Sequence, residues 1–251
     1  AFDPPAWNWK GLQRGTVTLP GLLKGVGYRT IFIGKAHFGP IGSNAADPLK
    51  LGFDVNIGGA PWGRPKSYYG RDHYGNHSKY LTGKKELTHN IPHLEKYYED
   101  DVFLSEALTL EAKAEIDKAV SADQPFYMQM SHYAVHSPFQ ADPRFAANFE
   151  NSGKAPSTQA YATLVEGVDK SLGDLLDHLQ VRGVAENTLI LFIGDNGSDA
   201  PMGEKNEIAS SAPLRGKKAT RWEGGLRVPF IAAWASVDRD NPWQRKLPIP
   251  Q

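Results

Sequence analysis

The chain has 251 residues, of which 40% are hydrophobic and 22% charged, a composition typical of globular domains. Its 28 basic and 28 acidic residues cancel, so no overall positive field attracts nucleic acid, and no apolar stretch reaches the roughly 18 residues that a membrane-spanning helix needs. Cysteine is absent, which excludes disulfides, zinc–thiolate sites and cysteine nucleophiles within these residues.

The first predicted elements are a short helix and a strand. Pro20 opens a helix over about Leu19 to Gly25, and the apolar run that follows indicates a strand over Arg29 to Gly34. Lys35 and His37 come directly after this strand. Alternation along an extended segment would place both side chains on the same face.

The middle of the chain predicts loops, a helix and a second strand. Residues Pro40 to Asn90 are rich in Gly, Pro, Tyr and His, which is typical of long surface loops. Helical spacing of apolar residues predicts a helix over about Asp100 to Val120, followed by a strand over Phe126 to Ser131. His136 follows that strand in a loop stiffened by Pro138, where an imidazole can act as an acid or base near neutral pH.

The last part of the chain gives the clearest helix–strand unit. An apolar stripe predicts a helix over Ser157 to Arg182, and Gly183 sits where a glycine that caps a helix belongs. The run Leu189 to Ile193 is typical of a fully buried strand, and another strand is predicted over Arg227 to Trp234. Strands alternating with helices imply an α/β fold with a mostly parallel central sheet and helices on both faces. No convincing linker divides residues 1–251, which favours a single domain.

Oxygen-bearing side chains end one of these strands. Asp195 and Asn196 follow the run Leu189 to Ile193, at the edge where open α/β folds bind their ligands. A carboxylate and an amide carbonyl suit Ca²⁺ or Mg²⁺ better than soft metals. The alternative is an Asx-turn in which Gly197 supplies a positive φ.

The candidate cations and imidazoles also have structural alternatives. Lys35 is also consistent with a solvated surface lysine and Lys218 with a basic surface turn, and Arg215 or Lys217 could pair with Glu223. The candidate imidazoles could simply bond to loop backbone. What favours a site is the joint placement of these groups at the ends of predicted strands, so we expect them to converge on one anionic group of tetrahedral shape.

Four segments, in chain order, resemble the signature motifs of the type I sulfatases. Gly27–Gly39 is similar to the G-Y-x-T…G-K-x-H-x-G motif, His136–Pro138 to H-x-P, and Asp195–Gly197 to D-N-G. Leu214–Pro229 is similar to L-R-G-x-K-x-x-x-x-E-G-G-x-R-V-P. Together the motifs run from about Gly21 to Trp234.

The resemblance implies an alkaline-phosphatase-like fold, a calcium ion and hydrolysis of sulfate esters in a periplasmic or secreted protein. Asp195 and Asn196 would be metal ligands. Lys35 would hold the nucleophile and neutralise charge, and His37 would bond to its hydroxyl. Lys218 and His136 would hold sulfate oxygens, one of them near the leaving oxygen.

The sequence departs from the family pattern in its nucleophile. The family uses a formylglycine made from Cys or Ser in C/S-x-P-S-R, and neither this motif nor the paired aspartates that complete the calcium site occur here. We expect them in a segment outside this chain, truncated at both ends. Ala36 replaces a residue that is commonly Trp in the family.

The expected substrate is a sulfated carbohydrate or an aryl sulfate. In the aromatic loop Pro61–Tyr69, Trp and Tyr faces could stack on a sugar, and Arg64 or Lys66 could meet a second sulfate or a carboxylate; the alternative is a satellite core. His132 is a further candidate substrate contact. A phosphomonoester or phosphonate-ester hydrolase and a non-catalytic binder of sulfated glycans remain alternative functions, which the upstream sequence would distinguish.

Overall fold

The computed structural model describes residues 10–75, 90–200, 211–237 and 240. The chain divides into two compact units, Ala1–Gly153 with Gln159–Ser171 (unit 1) and Lys154–Thr158 with Leu172–Gln251 (unit 2). The single domain expected from the sequence stays a prediction. In the part of the chain that is described, no helix is long and apolar enough to cross a membrane.

Unit 1 is built on a parallel sheet of three strands, β1 (Arg29–Gly34), β2 (Val55–Ile57) and β3 (Phe126–Ser131), in the order β2-β1-β3. The central strand β1 pairs along its whole length with β3, from Arg29 opposite Phe126 to Gly34 opposite Ser131. The apolar residues at the middle of β1 are fully buried, as expected for a strand covered on both faces. The mixed α/β fold predicted from the sequence is confirmed.

Two helices of unit 1 flank this sheet. Helix α1 (Leu19–Gly25) begins after Thr18, whose hydroxyl accepts a hydrogen bond from the amide of Gly21. Helix α2 (Leu104–Ser121) packs against β1 and β3. It begins later than the predicted Asp100, because the residues just before it form a turn that includes a positive φ of 48° at Asp101.

The prediction of surface loops over Pro40 to Asn90 is wrong in part. The segment contains β2, which pairs with the central strand, and Tyr68 and Tyr74 are fully buried. Strand β2 has only three residues, too few to show a hydrophobic period, so its backbone pairing with β1 defines it rather than its side chains. Residues 76–89 of this segment lie outside the described residues.

The long helix α3 (Pro156–Val181) contributes residues to both units. Gly183 follows its end with a φ of 70°, as the predicted glycine cap requires. Leu164 and Leu179 of the predicted apolar stripe are buried, but Val165 is 46% exposed, so the buried stripe is narrower than the sequence suggests.

Unit 2 contains β4 (Leu189–Ile193) and β5 (Phe230–Trp234), which pair antiparallel, and the short helix α4 (Glu223–Leu226). The prediction that β4 is fully buried is wrong: Leu191 is 54% exposed and Ile193 57%. Among the described residues β4 has β5 as its single strand neighbour, and most residues of both strands are exposed, so the faces of this ribbon are not covered as those of a central strand would be. The predicted strand Arg227–Trp234 begins only at Phe230, since Pro229 lacks an amide hydrogen for the ladder.

Candidate active site

The first cluster of candidate residues lies at the carboxyl edge of the unit 1 sheet, where β1, β2 and β3 all end. The amide of Lys35 donates to the carbonyl oxygen of Ser131 at 2.7 Å, which ties the end of β1 to the end of β3. Gly34 approaches this carbonyl so closely, with a φ of 96°, that a Cβ at this position would overlap Ser131.

His37 lies in irregular backbone beyond the end of β1. Its amide donates to the carbonyl oxygen of Ala60 at 3.1 Å, and its φ is 51°. The predicted extended segment does not include Lys35 and His37, because β1 ends at Gly34 and the backbone of His37 is left-handed. The two side chains are still close enough for the charge of Lys35 to act on His37.

The environment of the His37 imidazole keeps it neutral. Burial lowers the pKa of His37 below its ordinary value, and the positive charges of Lys35 and His136 lower this pKa further. The backbone of Gly63 packs against the ring, so that a Cβ at Gly63 would lie 2.7 Å from Nδ1. At neutral pH His37 is thus suited to act as a hydrogen-bonding group.

The His136 loop is held by two buried tyrosines. The hydroxyl of Tyr68 donates to the carbonyl oxygens of Tyr133 and His136, at 2.8 and 2.7 Å. The hydroxyl of Tyr133 donates to Gly58 at 2.8 Å, which joins this loop to the end of β2. Nδ1 of His136 lies 3.0 Å from the carbonyl oxygen of Ser137. Because a carbonyl oxygen can only accept a hydrogen bond, Nδ1 carries a hydrogen, and Nε2 is the ring atom that can release or take up a proton.

Tyr68 and Gly63 are positioning residues that the sequence did not identify. Both lie in the aromatic loop Pro61–Tyr69, for which the sequence left open a sugar-stacking surface or a satellite core. Tyr68 is fully buried, so for this residue the core interpretation is confirmed. Contacts with sequence separations of 65 and 68 residues leave no local signal that a pattern could reveal.

The two predicted substrate contacts of unit 1 differ in environment. Arg64 is exposed, next to the glycine that packs on His37. His132 follows β3 directly, and its Nδ1 is buried with no hydrogen-bond partner among the described residues. Burial lowers the pKa of His132 to about 4, so this imidazole is neutral at pH 7.

The second cluster lies in unit 2 and joins the Asp195 loop to the Lys218 loop. The amide of Gly197 donates to the carbonyl oxygen of Gly225 at 3.0 Å, and the amide of Lys218 donates to the carbonyl oxygen of Ser198 at 3.0 Å. A Cβ at Gly197 would overlap the carbonyl oxygen of Gly224. A glycine at 197 is therefore required by the close approach of the backbone. Its φ is not positive, so it does not play the part given to it in the alternative of an Asx-turn.

The basic motif around Lys218 is ordered by an aromatic ring. The guanidinium of Arg215 lies 3.7 Å from the centre of the Trp222 ring, and Glu223 pairs with Arg227 at 3.3 Å. The alternative pairing of Glu223 with Arg215 or Lys217 is therefore not formed. Within the described ranges, the ammonium of Lys218 makes no ion pair.

The donor set of unit 2 fits a hard cation in part. The side-chain amide nitrogen of Asn196 donates to the carbonyl oxygen of Gly197 at 2.9 Å, which leaves its side-chain oxygen as the ligand atom. Asp195 adds an exposed carboxylate. No group of three or more His, Cys, Asp or Glu that could hold a metal ion occurs among the described residues, so these two oxygens are a partial ligand set.

The structure thus gathers the candidate residues into two groups. Unit 1 brings Lys35, His37 and His136 together, and unit 2 brings Asp195, Asn196 and Lys218 together. Their convergence on one anion stays a prediction.

Comparison with known proteins identifies the family. N-acetylgalactosamine-6-sulfatase of Mus musculus is 30% identical over 239 residues, which cover 89% of this chain and 41% of that protein. The crystal structure of Ps i-CgsB has a TM-score of 0.70 and 29% identity, covering 92% of this chain and 50% of that one. Its complex with k-i-k-neocarrahexaose has a TM-score of 0.66 and 28% identity, covering 90% of this chain and 51% of that one. The chain spans about two fifths of the curated relative and half of the solved structures. The family model described as Sulfatase matches residues 2–246, and the chain therefore belongs to the sulfatase family.

Proposed function

We propose that the protein is a sulfuric ester hydrolase that removes sulfate from a sulfated carbohydrate. Family membership supports the reaction, and the names of the similar proteins, an N-acetylgalactosamine-6-sulfatase and a protein with a bound neocarrahexaose, support the carbohydrate. The observation that carries the proposal is the grouping of Lys35, His37 and His136 at the carboxyl edge of a parallel sheet.

The proposed reaction cleaves the bond between sulfur and the bridging ester oxygen. The ester and one water give an alcohol and inorganic sulfate, and negative charge grows on the sulfuryl oxygens and on the leaving oxygen. Fixed positive charges next to these atoms lower the barrier, because they stabilise charge that develops in the transition state. Lys35 and Lys218 are the cations assigned to this role.

The imidazoles have separate roles in the proposal. His136 gives a proton to the leaving oxygen, so that the alcohol departs uncharged. His37, which is kept neutral by burial and by the nearby Lys35, forms a hydrogen bond with the hydroxyl of the nucleophile. That nucleophile is a formylglycine that we expect outside this chain.

We also propose a calcium site in which Asp195 and Asn196 are two of the ligands. A calcium ion takes about six to eight oxygen ligands, so other carboxylates, carbonyl oxygens or water molecules must complete the site. When bound, the ion supplies positive charge that offsets the charge of the sulfate group. Asp195 and Asn196 contribute by holding their oxygens at the end of β4, supported by the contact of Gly197 with Gly225.

Substitution of two neighbouring lysines, Lys218 and Lys217, tests the proposal in the full-length protein. Lys218→Ala should lower kcat/KM for a sulfated sugar at least about a hundredfold, because one charge that stabilises the transition state is lost. Lys217→Ala, the matched control, should keep nearly full activity and the same thermal unfolding temperature. Equal activity of the two variants, or faster release of phosphate than of sulfate from paired esters by the wild type, would refute the assignment.

A further inference from the structure

The aromatic loop Pro61–Tyr69 is fixed at two points to the two imidazoles of unit 1. Near its start, the backbone of Gly63 packs on the ring of His37. Near its end, the Tyr68 hydroxyl donates to the backbone carbonyl of His136 at 2.7 Å. The residues between these points, Arg64 to Ser67, are therefore held next to the proposed reaction centre.

Further contacts make this stretch rigid. The hydroxyl of Ser67 donates to the carboxylate of Asp72 at 2.7 Å, and the amide of Tyr68 donates to the side-chain oxygen of Gln140 at 2.7 Å. Pro65 and Ser67 are buried, whereas Arg64 is exposed and Lys66 is half-buried. The loop thus points its two buried residues inward and presents its two cations from a fixed backbone.

These two cations have no counter-ion among the described residues. Arg71, which lies just beyond the loop, is by contrast paired with Asp101 and stacked 4.1 Å from the centre of the Tyr69 ring. Burial lowers the pKa of Lys66, and the positive charge of Arg64 lowers it further. Two like charges held close without compensation favour an anionic ligand, since its binding relieves their repulsion.

We propose that Arg64 and Lys66 bind a second anionic group of the substrate, a sulfate or a carboxylate on the sugar that carries the cleaved sulfate or on its neighbour. The inference rests on the proposed function, because it places the second anion relative to an ester bound at His37 and His136. It makes the substrate class a multiply charged glycan, such as a disulfated or a sulfated, uronic acid-containing saccharide. A sulfate ester with no other charge would not use this pair.

Three disaccharide substrates of the full-length enzyme separate the effect of the second anion from that of the cleaved sulfate. One has a single sulfate, one has two sulfates, and one has a sulfate and a uronic acid carboxylate. The double variant carries both Arg64→Gln and Lys66→Gln. The control is Lys50→Gln, which removes an exposed lysine of the same unit. The double variant should lower the preference for the doubly charged substrates, as a ratio of kcat/KM, by about tenfold, mainly through KM. The control should retain the wild-type preference. If the double variant keeps the wild-type preference for both doubly charged substrates, the proposal is overturned.

Binding measurements distinguish this inference from the proposed function. Calorimetric titration with the same disaccharides needs no turnover. The anion site is supported if the wild type binds a doubly charged disaccharide more tightly than the singly charged one and the double variant does not. This holds even if no sulfate is released. Comparison of the disulfated disaccharide with the one that carries a carboxylate shows which anion is preferred. Equal binding of all three by the wild type overturns it, whatever the catalytic result.

Discussion

Tyr68 and His136 are joined by a hydrogen bond of 2.7 Å from a buried hydroxyl to a backbone carbonyl. The same hydroxyl lies 2.8 Å from the carbonyl oxygen of Tyr133, so one side chain fixes both ends of the turn that carries the candidate proton donor. The position of His136 therefore depends on a residue 68 positions earlier in the chain.

Tyr68→Phe removes this hydroxyl while keeping the ring. We expect a loss of about 1–3 kcal/mol in the free energy of unfolding, because two buried carbonyl oxygens lose a donor. kcat should fall more than KM rises, since His136 would no longer be held in place. Denaturant unfolding and steady-state kinetics measure both effects. Tyr28→Phe, whose hydroxyl makes no hydrogen bond with the described residues, is the control; equal stability of the two variants would contradict the role of Tyr68.

Gly197→Ala tests the close approach of the Asp195 loop to the Lys218 loop. The added methyl group would overlap the carbonyl oxygen of Gly224, so this backbone must shift. We expect a destabilisation of about 1–3 kcal/mol, typical of overpacking, and a weaker affinity for calcium. Gly173→Ala is the matched control in the same unit, where a Cβ meets nothing within 4 Å. It should stabilise α3 by about 0.5–1 kcal/mol, and a similar loss in both variants would rule out the explanation.

Asp195→Ala tests the proposed calcium site directly. Loss of one anionic ligand should weaken calcium binding at least about tenfold, as measured by calorimetric titration of the metal-free full-length protein. Asp177→Ala, which removes another exposed carboxylate of unit 2, should leave the affinity unchanged. An unaltered affinity in Asp195→Ala would exclude this residue as a ligand.

The lowered pKa of His132 should make the free energy of unfolding depend on pH. Its pKa is about 4 in the folded protein against an ordinary value of 6.5, so between these values the unfolded state binds more protons. This contribution to stability is complete above about pH 6.5 and is lost as the pH falls toward 4. Denaturant unfolding at several pH values should show a smaller loss in His132→Leu than in the wild type. His93→Asn, which removes an exposed histidine, should keep the wild-type dependence, and an identical slope in His132→Leu would contradict the prediction.

The sequence predicted those parts of the fold that local pattern determines. Strands β1 and β3 are six-residue segments of mostly apolar residues, and their bounds agree with the prediction. Strand β2 could not be predicted, because its three residues are defined by pairing with β1. Strand β4 has the predicted bounds but not the predicted burial, since apolar composition does not say which neighbours cover a strand.

The candidate site shows the same division. The position of Lys35 and His37 after a strand predicts them as site residues, but the extended segment expected for them ends at Gly34 and His37 has a left-handed backbone. The roles of Gly63 and Tyr68 cannot be predicted from local pattern, because they are tertiary contacts with His37 and His136. A glycine that must approach a ring and a tyrosine that must donate to a distant carbonyl look like ordinary loop residues in the sequence.

The most direct test is the release of inorganic sulfate from a sulfated oligosaccharide by the full-length protein, compared between the wild type and Lys35→Ala. We predict steady release by the wild type and a rate at least about a hundredfold lower in the variant, with both proteins folded. No release by the wild type with its nucleophile and calcium in place, or equal rates for the two proteins, would contradict the account.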